Sequence, residues 1–210
     1  ASAFKLALNS LSYYELLLIA VVTALIAFSL IISFQRKWHL FRMINRKQMA
    51  ISAAAGMLNP TAYYLILFKS YELLPAQIAQ PINYIWPVVL SVMLAIFGRQ
   101  PIPFIKYVGM LISLAGVAVI SIGPGKLSGT HLSTVGIALG IGSAFVWATY
   151  WLINRLGAQT DQVLVLFLNF FFGSIWLLLI SPFMKIEFAS FQCILAAIYS
   201  GLFEMTIPFI

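Results

Sequence analysis

The sequence predicts an all-α, polytopic membrane protein, and three observations carry that expectation. Hydrophobic residues make up 62% of the 210-residue chain and charged residues 8%, against about 25% charged in an ordinary soluble domain. The mean hydropathy of +1.01 is too apolar for a surface facing water. The apolar residues also gather into runs long enough to cross a bilayer core of about 30 Å, which takes roughly 20 helical residues. The net charge of +7 would suit nucleic acid in a polar protein. Here the basic residues sit in short breaks between apolar runs, which is the pattern of membrane topology. The expected surroundings are therefore a lipid bilayer, with no nucleic-acid partner.

Seven runs are candidate spans: Tyr13–Phe34, Met49–Phe68, Ala76–Phe97, Phe104–Ile122, Ser133–Ile153, Gln162–Met184 and Phe191–Ile210. A closed β-barrel also satisfies the backbone in lipid, but it needs short strands with alternating polar positions. Leu16–Ala27 and Val163–Phe172 read as apolar on every face and are too long for that pattern. Helices are expected throughout. Ala1–Asn9 reads as the tail of a helix whose beginning is absent, and Ile210 ends the last run without a polar flank, so the chain is expected to be a fragment of a longer one.

The breaks set the direction of the spans. Arg36, Lys37, Arg42, Arg46 and Lys47 fall in the first break, Arg99 and Lys106 flank the third, and Arg155 marks the fifth. The alternate breaks carry Lys69 with Glu72, Lys126 with His131, and Lys185 with Glu187. The positive-inside rule places the basic-rich side, with Arg36–Lys47, in the cytoplasm. That stretch is first of all a topology anchor, and an anionic-lipid or regulatory site is its second reading.

Carriers are often built from inverted halves, so an internal repeat is worth seeking. A shift of 149 sets Lys5–Leu8 against Asn154–Gly157 and Ser12–Leu16 against Asp161–Val165. A shift of 145 lays Ala53–Gly56 over Ile198–Gly201 and places Asn59 opposite Glu204. Both shifts pair the same elements of two halves five spans apart, and an odd number of spans forces opposite orientation. The basic loops agree with such an inverted duplication, with halves expected at residues 1–123 and 124–210.

The stretch Tyr71-Glu72-Leu73-Leu74-Pro75-Ala76-Gln77, running into Pro81-Ile82-Asn83-Tyr84-Ile85-Trp86-Pro87, resembles the third-to-fourth helix region of EamA-type carriers of the drug/metabolite transporter superfamily. Ile105-Lys106-Tyr107-Val108-Gly109 and Leu114-Ala115-Gly116-Val117 are similar to that family's fifth helix. The resemblance implies ten helices in two inverted five-helix repeats, export of small metabolites, and a place in the bacterial inner membrane. On that plan the chain holds about seven full spans plus a stub of the first helix, and lacks the ninth and tenth. The stretch Asn83-Tyr84-Ile85-Trp86-Pro87 is similar to the aromatic amino-acid exporters of the superfamily. Gly98-Arg99-Gln100 departs from the family, many of whose members carry an acidic residue there.

Several residues are candidates to carry transport. Charge in the hydrocarbon core costs about 2.5–3.5 kcal/mol on insertion scales, and Glu204 is the acidic residue set well inside a span. It suits proton coupling or a substrate ammonium, or else a structural partner on an absent helix. Asn59-Pro60 lies mid-span, where Pro60 removes a backbone donor and frees a carbonyl four residues back. Gln77, Gln80 and Asn83 recur every three residues and share a helix face, between which Pro81 and Pro87 bracket Tyr84 and Trp86. That polar face is read either as cavity lining or as helix–helix hydrogen bonding. Trp147, Tyr150 and Trp151 suit an interface belt, with Trp147 deepest and the candidate to line a pocket. Lys69 and Glu72 suit a local ion pair, and Ser52–Gly56, Gly109 with Ser113 and Gly116, and Gly136 with Gly140 suit close helix packing.

No enzyme constellation is present. His39 and His131 fall in breaks on opposite sides, the single Cys193 allows no internal disulfide or cysteine metal site, and HExxH, CxxC and P-loop motifs are missing. No catalytic residue, metal or cofactor is expected. The expected function is a secondary carrier for a small molecule, possessing hinges at Pro60, Pro81 and Pro87 and substrate contacts at Asn59, Gln77, Gln80, Asn83, Tyr84, Trp86, Trp147 and Glu204. Protons are its expected coupling ion, through Glu204; the oligomeric state is not readable. The competing class is a non-transporting membrane scaffold or assembly subunit.

Overall fold

The apolar runs become helices in the computed structural model of the chain, which describes residues 12–99, 102–122, 133–157, 160–184 and 191–210. The expectations for Ala1–Asn9, Gln100, Lys126, His131, Lys185 and Glu187 lie outside the described residues. Among the described residues nine α-helical segments follow one another: α1 Tyr13–Phe34, α2 Arg46–Gly56, α3 Tyr63–Leu73, α4 Ala76–Asn83, α5 Trp86–Phe97, α6 Phe104–Ile122, α7 Thr134–Gly157, α8 Gln162–Ile180 and α9 Phe191–Phe203. Short 3₁₀ turns occupy Lys37–Met43, Ser181–Phe183 and Ile207–Phe209. No strand occurs among the described residues. Five helical stretches, Tyr13–Phe34, Arg46–Leu73, Gln77–Phe97, Thr134–Arg155 and Gln162–Phe183, are long and apolar enough to cross a membrane, and Phe104–Gly116 and Cys193–Phe209 are shorter apolar helices. The protein is a polytopic, all-helical membrane protein.

The helices start where side chains satisfy the orphan N–H groups of their first turn. Ser12 caps α1 in a capping box, its Oγ accepting from the Glu15 N–H while the Glu15 carboxylate accepts from the Ser12 N–H at 3.0 Å. Asn45 caps α2 through the Gln48 N–H at 2.7 Å, and Asp161 caps α8 through the Val163 N–H at 3.0 Å. Their ends are set by proline and by left-handed residues. Arg36 and Arg99, which follow α1 and α5, hold φ of 53° and 50°.

Three expected spans are broken rather than continuous. The second runs from Arg46 to Leu73 but opens into a wide π-type turn at Met57–Ala62, where Asn59 leaves helical geometry at φ −140°, ψ 123° ahead of a cis Pro60. The third divides at Tyr84 and Ile85, because Pro87 offers no N–H to the carbonyl four residues back. In the last, α9 stops at Phe203 and the chain turns through Glu204–Thr206. Glu204 is thus in a turn beyond a helix end, not within a continuous helix. Pro208 explains the break, since it lacks the N–H that would bond the Glu204 carbonyl.

Two compact units divide the chain, residues 1–65 with 153–210 and residues 66–152. In the first, α1 and α8 run antiparallel. The Tyr14 hydroxyl donates to the Leu177 carbonyl at 2.9 Å, Phe28 meets Phe170 at 5.4 Å between centroids, and Lys37 beyond the end of α1 pairs with Asp161 at the start of α8 at 2.6 Å. Each of these two helices takes a glycine of a second helix. Gly56 lies against the Asn169 carbonyl and the Phe172 Cβ of α8, and Gly201 against the Ala20 carbonyl and the Thr23 Cβ of α1. The glycines are 145 residues apart and both pairs of contact points 149 apart. Thr61 and Thr206, also 145 apart, each donate from Oγ1 to the carbonyl five residues back, Gly56 at 3.1 Å and Gly201 at 2.8 Å.

In the second unit α7 is the common neighbour. Ser70 of α3 donates to the Gly136 carbonyl at 2.9 Å, and Asn83 of α4 donates from Nδ2 to Ser143 Oγ at the same distance. Gly136 packs under Leu73 and Leu74, and Gly140 under Ile82 and the Ser70 hydroxyl, so the GxxxG pair does serve close contact. Gly109 and Gly116 do not. A Cβ at either would meet nothing within 4 Å, because that face of α6 has no described helix against it.

Candidate functional site

Asn59 is the most unusual of the expected site residues. Its side chain is 1% exposed, and Oδ1 accepts no hydrogen bond from any described residue. Buried polar atoms are nearly always bonded, and leaving one unbonded costs about 1–3 kcal/mol. The surrounding structure fixes the amide there. Pro60 seats on Gly173, and the Thr61 hydroxyl bridges the Gly56 carbonyl and the Gly173 carbonyl at 3.1 and 3.2 Å. The Trp176 indole N–H closes the same contact on the Ala53 carbonyl at 3.0 Å. A proline-opened helix therefore holds a carboxamide rigidly, with its acceptor left over.

Glu204 occupies the corresponding place in the first unit. Its N–H and that of Met205 both donate to the Ser200 carbonyl, at 3.0 and 3.1 Å, and its side chain is half-buried. The two residues that the alignment sets at equivalent positions thus sit at helix breaks, each three residues after a glycine pressed onto a neighbouring helix. Sequence reading passed over one more polar group here. Asn169, in a run read as wholly apolar, is 0% exposed and donates from Nδ2 to the Asn154 Oδ1 at 2.9 Å. A single asparagine inside ten otherwise apolar residues was the signal available.

The remaining candidates belong to the second unit. Trp86 meets Trp147 edge-on at 6.2 Å, and Trp147 adds Tyr150 at 5.7 Å and Trp151 at 6.1 Å. Trp147 is 7% and Tyr150 1% exposed, so these two rings are buried within the unit, with half-buried Trp86 and Trp151 beside them. The polar face of α4 grades from exposed Gln77 through half-buried Gln80 to buried Asn83, whose amide is engaged with Ser143. For Asn83 the helix–helix hydrogen bond is the arrangement found. Tyr84 is exposed, and Pro81 and Pro87 flank the interruption. Lys69 and Glu72 form the expected exposed ion pair at 2.9 Å.

At the end of α1 the first basic break folds as a docked 3₁₀ segment. Trp38 stacks on Phe41 at 5.3 Å, and both meet Phe167 of α8 edge-on at 5.9 and 5.7 Å. The Lys37–Asp161 ion pair fastens the same segment. Burial works to raise the Asp161 pKa, but the hydrogen bond and charge of Lys37, with the N–H groups of Leu164 and Val163, outweigh it and hold the carboxyl below its usual value.

Comparison with known proteins agrees with this architecture. The EamA-like transporter family matches residues 1–122. A Bacillus subtilis (strain 168) protein named as an uncharacterized transporter, YvbV, is 30% identical over 196 residues, which is 92% of this chain and 62% of that protein. The chain thus spans less than two thirds of that relative's length. A solved crystal structure shares the fold at TM-score 0.75 and 18% identity, over 99% of this chain and 71% of that one. The match over more than half of the chain, with a similar relative along nearly all of it, makes this chain a member of the EamA-like transporter family.

Proposed function

We propose that the chain forms the greater part of a secondary-active carrier that exports a small metabolite, an amino acid or a molecule like one, by alternating access. The observation that carries the proposal is the buried Asn59 carboxamide, whose Oδ1 has no described partner at a helix opened by Pro60. Broken helices at mid-depth are how carriers present backbone and amide groups to polar substrates. A substrate N–H or ammonium supplies the hydrogen bond that Asn59 lacks, and Glu204, at the second break, is the candidate proton-coupling group. The Trp86–Trp147 aromatic group, with Gln77, Gln80, Asn83 and Tyr84, is proposed to offer substrate an aromatic and amide surface within its own unit. Pro60, Pro81 and Pro87 are the proposed hinges. No catalytic step is part of the cycle.

Residues 1–123 and 124–210 are proposed to be two inverted repeats. The paired glycines, the paired threonines and the matching helix caps at Ser12 and Asp161 support that reading. The proposed membrane is the bacterial inner membrane, with Arg36–Lys47 cytoplasmic. The Lys37–Asp161 pair supports a common side for that loop and the α7–α8 connection.

Water access separates a carrier from a scaffold. Asn59→Cys and Gln80→Cys, made in a Cys193→Ser background, are expected to react with membrane-impermeant thiol reagents in membranes, and substrate is expected to protect Asn59→Cys. Both sites staying inert, in protein whose exposed control cysteines react, would favour the scaffold.

A further inference from the structure

We infer that the 3₁₀ segment following α1 is a binding site for the phosphate of an anionic phospholipid, formed by Arg36, His39 and Arg42. In a 3₁₀ helix residues three apart stand on one face. The segment Lys37–Met43 therefore has an aromatic face, Trp38 and Phe41, and a cationic face, His39 and Arg42. The aromatic face is occupied by Phe167, so the cationic face is turned away from α8. Arg36 immediately precedes the segment, in the left-handed region. Its carbonyl accepts from His39 Nδ1–H at 2.9 Å, which fixes the imidazole beside it and leaves Nε2 outward.

No described residue forms an ion pair with this face. Arg36, His39 and Arg42 are exposed. Among the described residues Asp161 is taken by Lys37, Glu15 is engaged in its capping box, and Glu72 pairs with Lys69. Phe34, Trp38 and Met43, in and beside the same segment, are exposed at 87%, 44% and 73%. That mixture suits the boundary between headgroups and acyl chains. On the positive-inside assignment the segment lies at the cytoplasmic leaflet, where anionic headgroups attract basic residues. A basic stretch needed only for topology has no requirement for docking. Here an ion pair and three rings hold it in one geometry, which presents its cations at fixed spacing.

The test is native mass spectrometry of the purified protein titrated with phosphatidylglycerol and with phosphatidylcholine. The wild type is expected to retain phosphatidylglycerol in preference, and Arg36→Gln/Arg42→Gln to lose about 30-fold in that preference, at about fivefold per arginine. Arg42→Gln alone keeps Arg36 in place and is expected to lose about fivefold, which keeps the test decisive if the double variant does not fold. Lys69→Gln is expected to change nothing. Equal retention by wild type and Arg42→Gln overturns the inference, as does an equal loss in Lys69→Gln. Displacement of the lipid by inorganic phosphate at matching concentration overturns the bilayer as the source and makes this a soluble-anion site.

Discussion

Gly56→Ala is the perturbation whose cost the structure fixes most closely. An alanine Cβ there would lie 2.8 Å from the Gly173 nitrogen and 3.1 Å from the Phe172 Cβ, and closer still to the Asn169 carbonyl. Ordinary contact begins at 3.4 Å, so α2 and α8 must separate by about 0.6 Å or more. The neighbours are backbone and a Cβ, which cannot rotate aside. Overpacking of this kind costs about 1–3 kcal/mol, offset by about 1 kcal/mol that alanine gains over glycine within a helix. A net loss of up to about 2 kcal/mol is expected, read by SDS-titration unfolding in mixed micelles. Gly201→Ala, facing the Ala20 carbonyl and a Thr23 Cβ at 2.8 Å, is expected to lose a similar amount. Gly109→Ala, in open space, is expected to be neutral or slightly stabilising. Gly56→Ala no more costly than Gly109→Ala would refute the close approach of α2 and α8.

Three further outcomes follow from particular residues. Asp161 has its carboxyl pKa lowered in the folded state, so its charge stabilises above the ordinary carboxylate range and ceases to do so as pH falls through the lowered value. Asp161→Asn keeps a capping side chain and is expected to cost about 0.5–1 kcal/mol at pH 7, and nothing once pH has fallen through the lowered pKa. Arg99 holds φ 50° after the α5 C-cap, and Arg99→Gly is expected to gain about 1 kcal/mol in thermal unfolding, a gain that Arg99→Ala should not match. Glu204→Gln is expected to abolish the dependence of transport on an imposed proton gradient, and an unchanged dependence removes Glu204 from coupling.

The sequence made the spans legible wherever composition alone decides them. Tyr13–Phe34 and Phe104–Ile122 agree with the helices at both ends, because apolar run and polar break coincide there. The breaks were half legible. Pro60 announces that its helix opens, but not that Asn59 departs to an extended conformation with an unbonded amide. Glu204 was expected inside a helix because no glycine or proline adjoins it; the cause lies four residues later, at Pro208. Tertiary pairing was less readable still. The stripe of Gly109, Ser113 and Gly116 looks like a packing face as much as Gly136 and Gly140 do, yet only the second pair has a helix against it. The equivalence of Gly56 with Gly201 was visible as a weak alignment, and their partners on α8 and α1 give it physical content.

Counterflow in proteoliposomes tests the central claim most directly, with the purified protein and a panel of labelled amino acids, purines and sugars. Saturable exchange of one substrate class is predicted, with Asn59→Ala losing at least about tenfold in exchange while unfolding no more easily than wild type, since Oδ1 accepts no hydrogen bond from a described residue. Exchange that Asn59→Ala leaves intact would contradict the site, and the absence of exchange of any class by folded, correctly inserted protein would contradict the carrier.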